Sequence, residues 1–119
     1  MTAGTGINTA GSGGVRLGRM IAAFSVAPTV TNNATAAMSE AVARAVQVVR
    51  DSGLPHETTA MFTTIEGEWD EVMDVIKRAT AAVEEVSPRV SLVIKADIRP
   101  GYTDMLHQKM NSLNKHLEA

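Results

Sequence analysis

Helical and strand periodicities alternate twice between Met20 and Arg99, and few small folds accept that order. Ile21–Ala27 (IAAFSVA) is almost continuously apolar and stops at Pro28, as a buried strand does. Met38, Ala41, Val42, Ala45, Val46 and Val49 then recur at spacings of three and four, an apolar stripe at helical period. Asn32, Asn33 or Thr35 is the expected cap of this helix. Arg50 suits its negative end, Gly53 supplies a left-handed stop and Pro55 forbids continuation.

His56–Glu66 (HETTAMFTTIE) is Thr-rich and reads either as two short strands reversing near Ala60–Phe62 or as one bent strand. A second helix follows, with Trp69, Val72, Met73, Ile76, Ala79, Thr80 and Val83 on one face. Glu68, Asp70 and Glu71 crowd its first turn, where the helix dipole favours anions, and Pro88 ends it. From Val90 to Ile98 the apolar residues Val90, Leu92, Ile94, Ala96 and Ile98 alternate with Ser91, Val93, Lys95, Asp97 and then Arg99, a strand with one apolar face. Pro100–Gly101 is a turn, and Thr103 or Asp104 can cap a last helix carrying Leu106, Met110, Leu113 and Leu117.

Strand–helix–strand thus occurs twice. Right-handed crossovers place both helices on one side of one antiparallel sheet, the α+β ferredoxin-like split β-α-β arrangement (βαββαβ) with an extra C-terminal helix. The chain of 119 residues fits one domain, expected over residues 20–119. Residues 1–19 are rich in Gly, Thr and Ser and lack the apolar stretch of a signal peptide. They are expected to be a disordered leader, with Met20 the natural start of the domain.

Composition removes several classes of function. A net charge of −2 provides no basic field for nucleic acid or an anionic membrane. No apolar run approaches the ~20 residues of a membrane span, so a soluble, cytoplasmic protein is expected. Without cysteine there is no disulfide, thiol nucleophile or thiolate metal site. No phosphate loop, nucleophile elbow, paired-histidine zinc motif or calcium loop is present. His56, His107 and His116 are scattered and read as solvated, so no metal site is expected. Trp69 reads as core or cover, and its acidic neighbours as helix-start stabilisers. No nucleophile–base pairing can be identified, and a protein without enzyme activity is expected.

What remains is a polar set on the sheet face opposite the helices. If Phe24 and Ile65 face the helices, Ser25, Thr64, Glu66, Lys95 and Asp97 point the other way. Two readings stand together. Lys95 pairs with Asp97 or Glu66 and locks a subunit interface, or the hydroxyls and carboxylates line a ligand pocket between subunits. The first strand is apolar on both faces, so that open face needs cover, either from the last helix or, as favoured here, from a second copy.

Thr64-Ile65-Glu66-Gly67-Glu68-Trp69-Asp70-Glu71-Val72-Met73 resembles the small thiamine-binding protein family, long classed as a domain of unknown function. Phe24-Ser25, Ser52-Gly53-Leu54-Pro55, Arg89-Val90, Ile94-Lys95 with Asp97 and Arg99, and Lys109, Ser112 and Lys115 follow in matching order. The resemblance spans about residues 20–117. It implies a ferredoxin-like fold and self-association into dimers or tetramers through sheet faces or edges. It also implies binding of thiamine or its hydroxymethylpyrimidine part as a ligand, without chemistry and without any cofactor. By the same resemblance Ser25, Glu66, Lys95 and Asp97 lie on or near the ligand side, and Thr59, Met61, Thr63 and Thr64 occupy the adjoining strand pair. Two positions depart from the family pattern. Phe62 stands where the family usually has Gly, and Ile98 where a second acid is common.

Overall fold

Alternation along the first strand decides the architecture. In a computed structural model, which describes residues 17–29 and 34–118, strand β1 runs Arg19–Pro28 and buries Met20, Ala22, Phe24 and Val26 on one side. Helix α1 (Ala34–Asp51), strands β2 (His56–Thr58) and β3 (Thr63–Glu68), helix α2 (Trp69–Glu84), strand β4 (Val90–Ile98) and helix α3 (Met105–Glu118) follow. The sheet order is β2-β3-β1-β4, with every neighbouring pair antiparallel. This is the expected ferredoxin-like arrangement, with the Thr-rich segment resolved as two strands rather than one. Of the leader, residues 1–16 lie outside the described residues, as do Asn32, Asn33 and the side chain of Thr35 at the expected α1 cap. Arg19, placed in the leader by the sequence reading, is the first residue of β1.

The core joins the inner face of β1 and Ile65 of β3 to Ala41, Ala45 and Val49 of α1 and Val72, Val75, Ile76, Ala79 and Val83 of α2. Trp69 packs against this core half-buried. Small residues on α1 let the two helices lie close over the strands. Gly53 ends α1 at φ 77°, in the left-handed region that glycine enters at no steric cost. The Glu68 N–H donates to the Glu71 carboxylate at 3.0 Å, so the acidic cluster at the start of α2 acts as a helix opener. Gly67 sits in a tight place, since a Cβ there would lie 3.3 Å from both Glu71 Oε1 and Val72 Cγ2, and those side chains would have to give by a few tenths of an ångström.

The apolar face of β4 does point toward the helices, because Leu92, Ile94 and Ile98 lie beside Val26, Phe24 and Met20. They nevertheless remain 41%, 37% and 39% exposed. β4 is an edge strand, and the helices pack chiefly over β1. Helix α3 crosses the opposite face of the sheet and is anchored at its first turn, where Met105 is buried. Farther along, Met110, Leu113 and Leu117 are exposed. The last helix therefore covers one end of the open face, a share of the cover that the sequence reading had favoured assigning to a second copy.

Candidate functional site

Register places the polar residues of the open face in rows. One row holds Glu66, Ile21 and Asp97, and the next holds Glu57, Thr64, Ala23 and Lys95. Ser25 comes next on β1, half-buried and opposite Val93. Glu57, not singled out from the sequence, joins this face because β2 pairs with β3.

The first row is engaged by helix α3 and the start of β1. Glu66 Oε1 accepts the Leu106 N–H at 3.1 Å, and Oε2 takes the Arg19 Nε at 2.9 Å. The Glu66 side chain is 1% exposed. Burial alone would push its carboxyl up, but the Met105 and Leu106 amides and the Arg19 guanidinium outweigh it and hold the group below the ordinary glutamate range. Asp97 pairs with Lys109 of α3, and that hydrogen bond keeps its carboxyl low. The ion pairs expected between Lys95 and Asp97 or Glu66 are therefore replaced: each carboxylate has another cation, and Lys95 has no ion pair among the described residues. Arg19 and Lys109 were missed as partners because they lie far from Glu66 and Asp97 in sequence.

The second row stays open, and beyond it the sheet has a corner. β3 pairs with β1 only as far as Thr63 opposite Phe24. The chain then turns through residues 59–62, closed by the Thr59 N–H donating to the Phe62 carbonyl at 2.8 Å and by the Phe62 N–H donating to Thr59 Oγ1 at 3.3 Å. A cavity of about 210 Å³ occupies this corner, bounded by Phe24–Ala27 of β1, Val42, Ala45 and Val46 of α1, and residues 58–63. Ser25, Thr59, Met61 and Thr63 all line it. The buried Thr63 hydroxyl lies 3.2 Å from that of Thr58, while Met61 is 74% exposed at the rim. The residues singled out from the sequence thus divide, with Ser25, Thr59, Met61 and Thr63 at the corner and Thr64, Glu66, Lys95 and Asp97 on the open face. Phe62 also lines the corner, where it takes up space that a glycine would leave empty.

The thiamine-binding protein family model matches residues 22–114, which include the whole corner and, apart from Ile21, both rows of the open face. The chain belongs to the thiamine-binding protein family. Among its relatives, a UPF0045 protein of Mycobacterium bovis is 50% identical over 99 residues, covering 82% of this chain and 94% of that protein. The crystal structure of a hypothetical protein from Methanocaldococcus jannaschii superposes with a TM-score of 0.71 at 27% identity, covering 81% of this chain and 96% of the other. A domain of unknown function from Bacillus cereus gives a TM-score of 0.69 at 33% identity, covering 78% and 88%.

Among the described residues, no three His, Asp or Glu side chains converge as metal ligands, and no helix is long and apolar enough to cross a membrane. What this thiamine-binding family domain offers at its corner is a small apolar cleft edged with hydroxyls. Such a cleft can orient a flat polar ring and cover its faces.

Proposed function

We propose that this chain is a soluble, cytoplasmic, non-catalytic binder of thiamine or of its aminopyrimidine part, held at the sheet corner and working as a homo-oligomer. The observation that carries the reading is the cavity beside residues 58–63. It gathers Ser25, Thr59, Met61 and Thr63 within the stretch that the family model matches. An aminopyrimidine presents a donor amino group and ring acceptors, which hydroxyls can orient while Met61, Phe62, Val42 and Val46 cover its faces. The cavity lies below the roughly 300–1,000 Å³ of drug-sized sites, which suits one ring better than two. In that case the thiazolium would extend toward solvent past Met61. Glu66 and Asp97 already hold α3, so neither is needed as a general base and binding without chemistry is the consistent reading.

Assembly is supported by β4. Among the described residues no strand pairs with its outer edge, and Leu92, Val93 and Ile94 are all exposed there. A nine-residue edge strand with an apolar run from Leu92 to Ile94 attracts a second strand. This same edge also favours the second reading, a structural or regulatory oligomer that holds no thiamine.

Calorimetry with thiamine and hydroxymethylpyrimidine separates the two. Heat of binding with either ligand is expected. Its absence at millimolar ligand leaves only the structural oligomer.

A further inference from the structure

The hydrogen-bond phase of β1 determines which backbone groups face the cavity. The Arg99 N–H donates to the Arg19 carbonyl at 2.8 Å, and the Thr29 N–H donates to the Arg89 carbonyl at 3.0 Å. Both bonds run between the β1 segment and the β4 side, and both involve odd-numbered residues, Arg19 at the start of β1 and Thr29 just past its end. In an extended strand the N–H and C=O of one residue share a direction, and the direction alternates from residue to residue. Ala23, Ser25 and Ala27 therefore bond toward β4, while Ala22, Phe24 and Val26 point toward β3. On the far side of β3 the same phase holds, since the Glu66 N–H turns away from β1 to reach the Pro55 carbonyl at 2.9 Å.

Phe24 meets Thr63, the last residue of the ladder. Val26 would meet Met61, but the tight turn from Thr59 to Phe62 carries the chain away. Outside the strand ladder neither the N–H nor the C=O of Val26 is hydrogen-bonded to the backbone among the described residues, and the phase of the ladder turns both away from β4. They lie at the corner, where both faces of β1, Phe24 and Val26 on one side and Ser25 and Ala27 on the other, line the cavity. A buried backbone donor and acceptor left without a partner is costly, so such a pair is a site waiting for a ligand.

We infer that the main chain of Val26 is the recognition edge of this cavity and takes the adjacent acceptor and donor of an amino-substituted nitrogen heteroaromatic ring. The Val26 N–H donates to a ring nitrogen, and the exocyclic amino group donates to the Val26 carbonyl. The ring thereby exchanges two bonds with one residue, as the missing strand would have done. Thr63 and Thr59 edge the same cleft, with α1 on one side. Specificity then rests on backbone geometry, and Val26 needs no polar side chain to provide it. The inference deepens the proposed function and rests on it, since it names the atoms that read the ring.

Amide exchange and chemical shift in the full-length chain test this directly. Without ligand, the Val26 amide should exchange much faster than those of Ala22 and Phe24. Hydroxymethylpyrimidine at a hundred times its Kd should slow Val26 by about a hundredfold and move its proton downfield. The same ring without its amino group should bind about three- to tenfold more weakly, having lost one neutral hydrogen bond. Heat of binding with an unchanged Val26 amide overturns this inference and leaves the proposed function standing. A Val26 amide already as protected as Phe24 in the free protein also overturns it, because the group then has another partner. No heat with thiamine or hydroxymethylpyrimidine removes the proposed function, and the inference falls with it.

Discussion

The Glu66 carboxylate accepts the backbone N–H of Leu106 at 3.1 Å, from a strand position forty residues earlier in the chain. With Arg19 on its other oxygen, this side chain ties three segments together: the first residue of β1, the middle of β3 and the first turn of α3. The family motif that surrounds Glu66 is therefore, at this residue, a clasp for the C-terminal helix. A buried carboxylate with charge-assisted partners is strongly held, but removing the charge leaves those partners short of an acceptor.

Glu66→Gln should release α3 while leaving the four-stranded sheet in place. A loss of about 1–3 kcal/mol is expected for a hydrogen-bonded charged group. Exchange at Leu106 should rise sharply while exchange at Ile76, in the core, changes far less. Calorimetry should show ligand affinity changed less than twofold, and a large loss would return Glu66 to the ligand site.

Acid should act through the same residue. The Glu66 carboxyl in the folded chain is lowered from its ordinary value of 4.5 by the amides and Arg19, against the opposing push of burial. The folded state therefore binds that proton less readily than the unfolded one. Its stabilisation is complete above the ordinary value and is lost as pH falls through the lowered one. Asp97, held low by Lys109, acts in the same direction. Stability measured against pH should fall below about pH 4.5 in the parent chain, and Glu66→Gln should flatten that fall. Equal slopes in the two chains would assign the acid sensitivity elsewhere.

Thr63→Val keeps shape and removes a buried hydroxyl that lies 3.2 Å from Thr58 Oγ1. A stability loss of about 1 kcal/mol is expected from the broken pair. If the corner holds the ring, affinity should drop as well. The double variant with Thr58→Val should recover part of the stability and none of the affinity, as chemical denaturation and calorimetry would report.

Phe62→Ala should enlarge the corner cavity that Phe62 lines and raise the affinity for thiamine relative to hydroxymethylpyrimidine, because a second ring needs more room than the present 210 Å³ offers. An unchanged ratio of the two affinities would show that this side chain does not limit the site. Stability should change by less than about 1–2 kcal/mol, since the side chain is 36% exposed.

Val93→Lys places a charge on the exposed edge strand, where lysine blocks strand addition. Light scattering should then show a smaller particle than the parent chain forms. A parent chain that is already monomeric when dilute would remove the oligomer from the proposed function.

Much of this architecture could be read from local pattern. The inward residues of α2 and the alternation in β4 each reflect a period that belongs to one segment, so neighbouring residues carry the information. Gly53 and Pro88 mark helix ends for reasons local to their own backbones. The resemblance around Glu66 and Trp69 led to the right family because its residues are contiguous. The side-chain pairings were not legible in the same way. Arg19 looked like the tail of a Gly-rich leader, and only the register of β1 against β3 brings it to Glu66. Lys95 looked like the partner of Asp97, although alternate residues on one strand face are farther apart than a helix laid across them. Lys109 of α3 wins that contact.

By itself, then, the order of periodicities determined the helices, the two long strands, their layering and the side of the sheet on which Ser25, Thr64, Glu66, Lys95 and Asp97 lie, because each of these follows from local geometry and handedness. Only the tertiary structure decided that β3 ends before Val26, that α3 takes up Glu66 and Asp97, and that β4 keeps an open edge. Those outcomes depend on where separate segments meet, and a hydrogen bond across forty residues leaves no period in the chain that makes it.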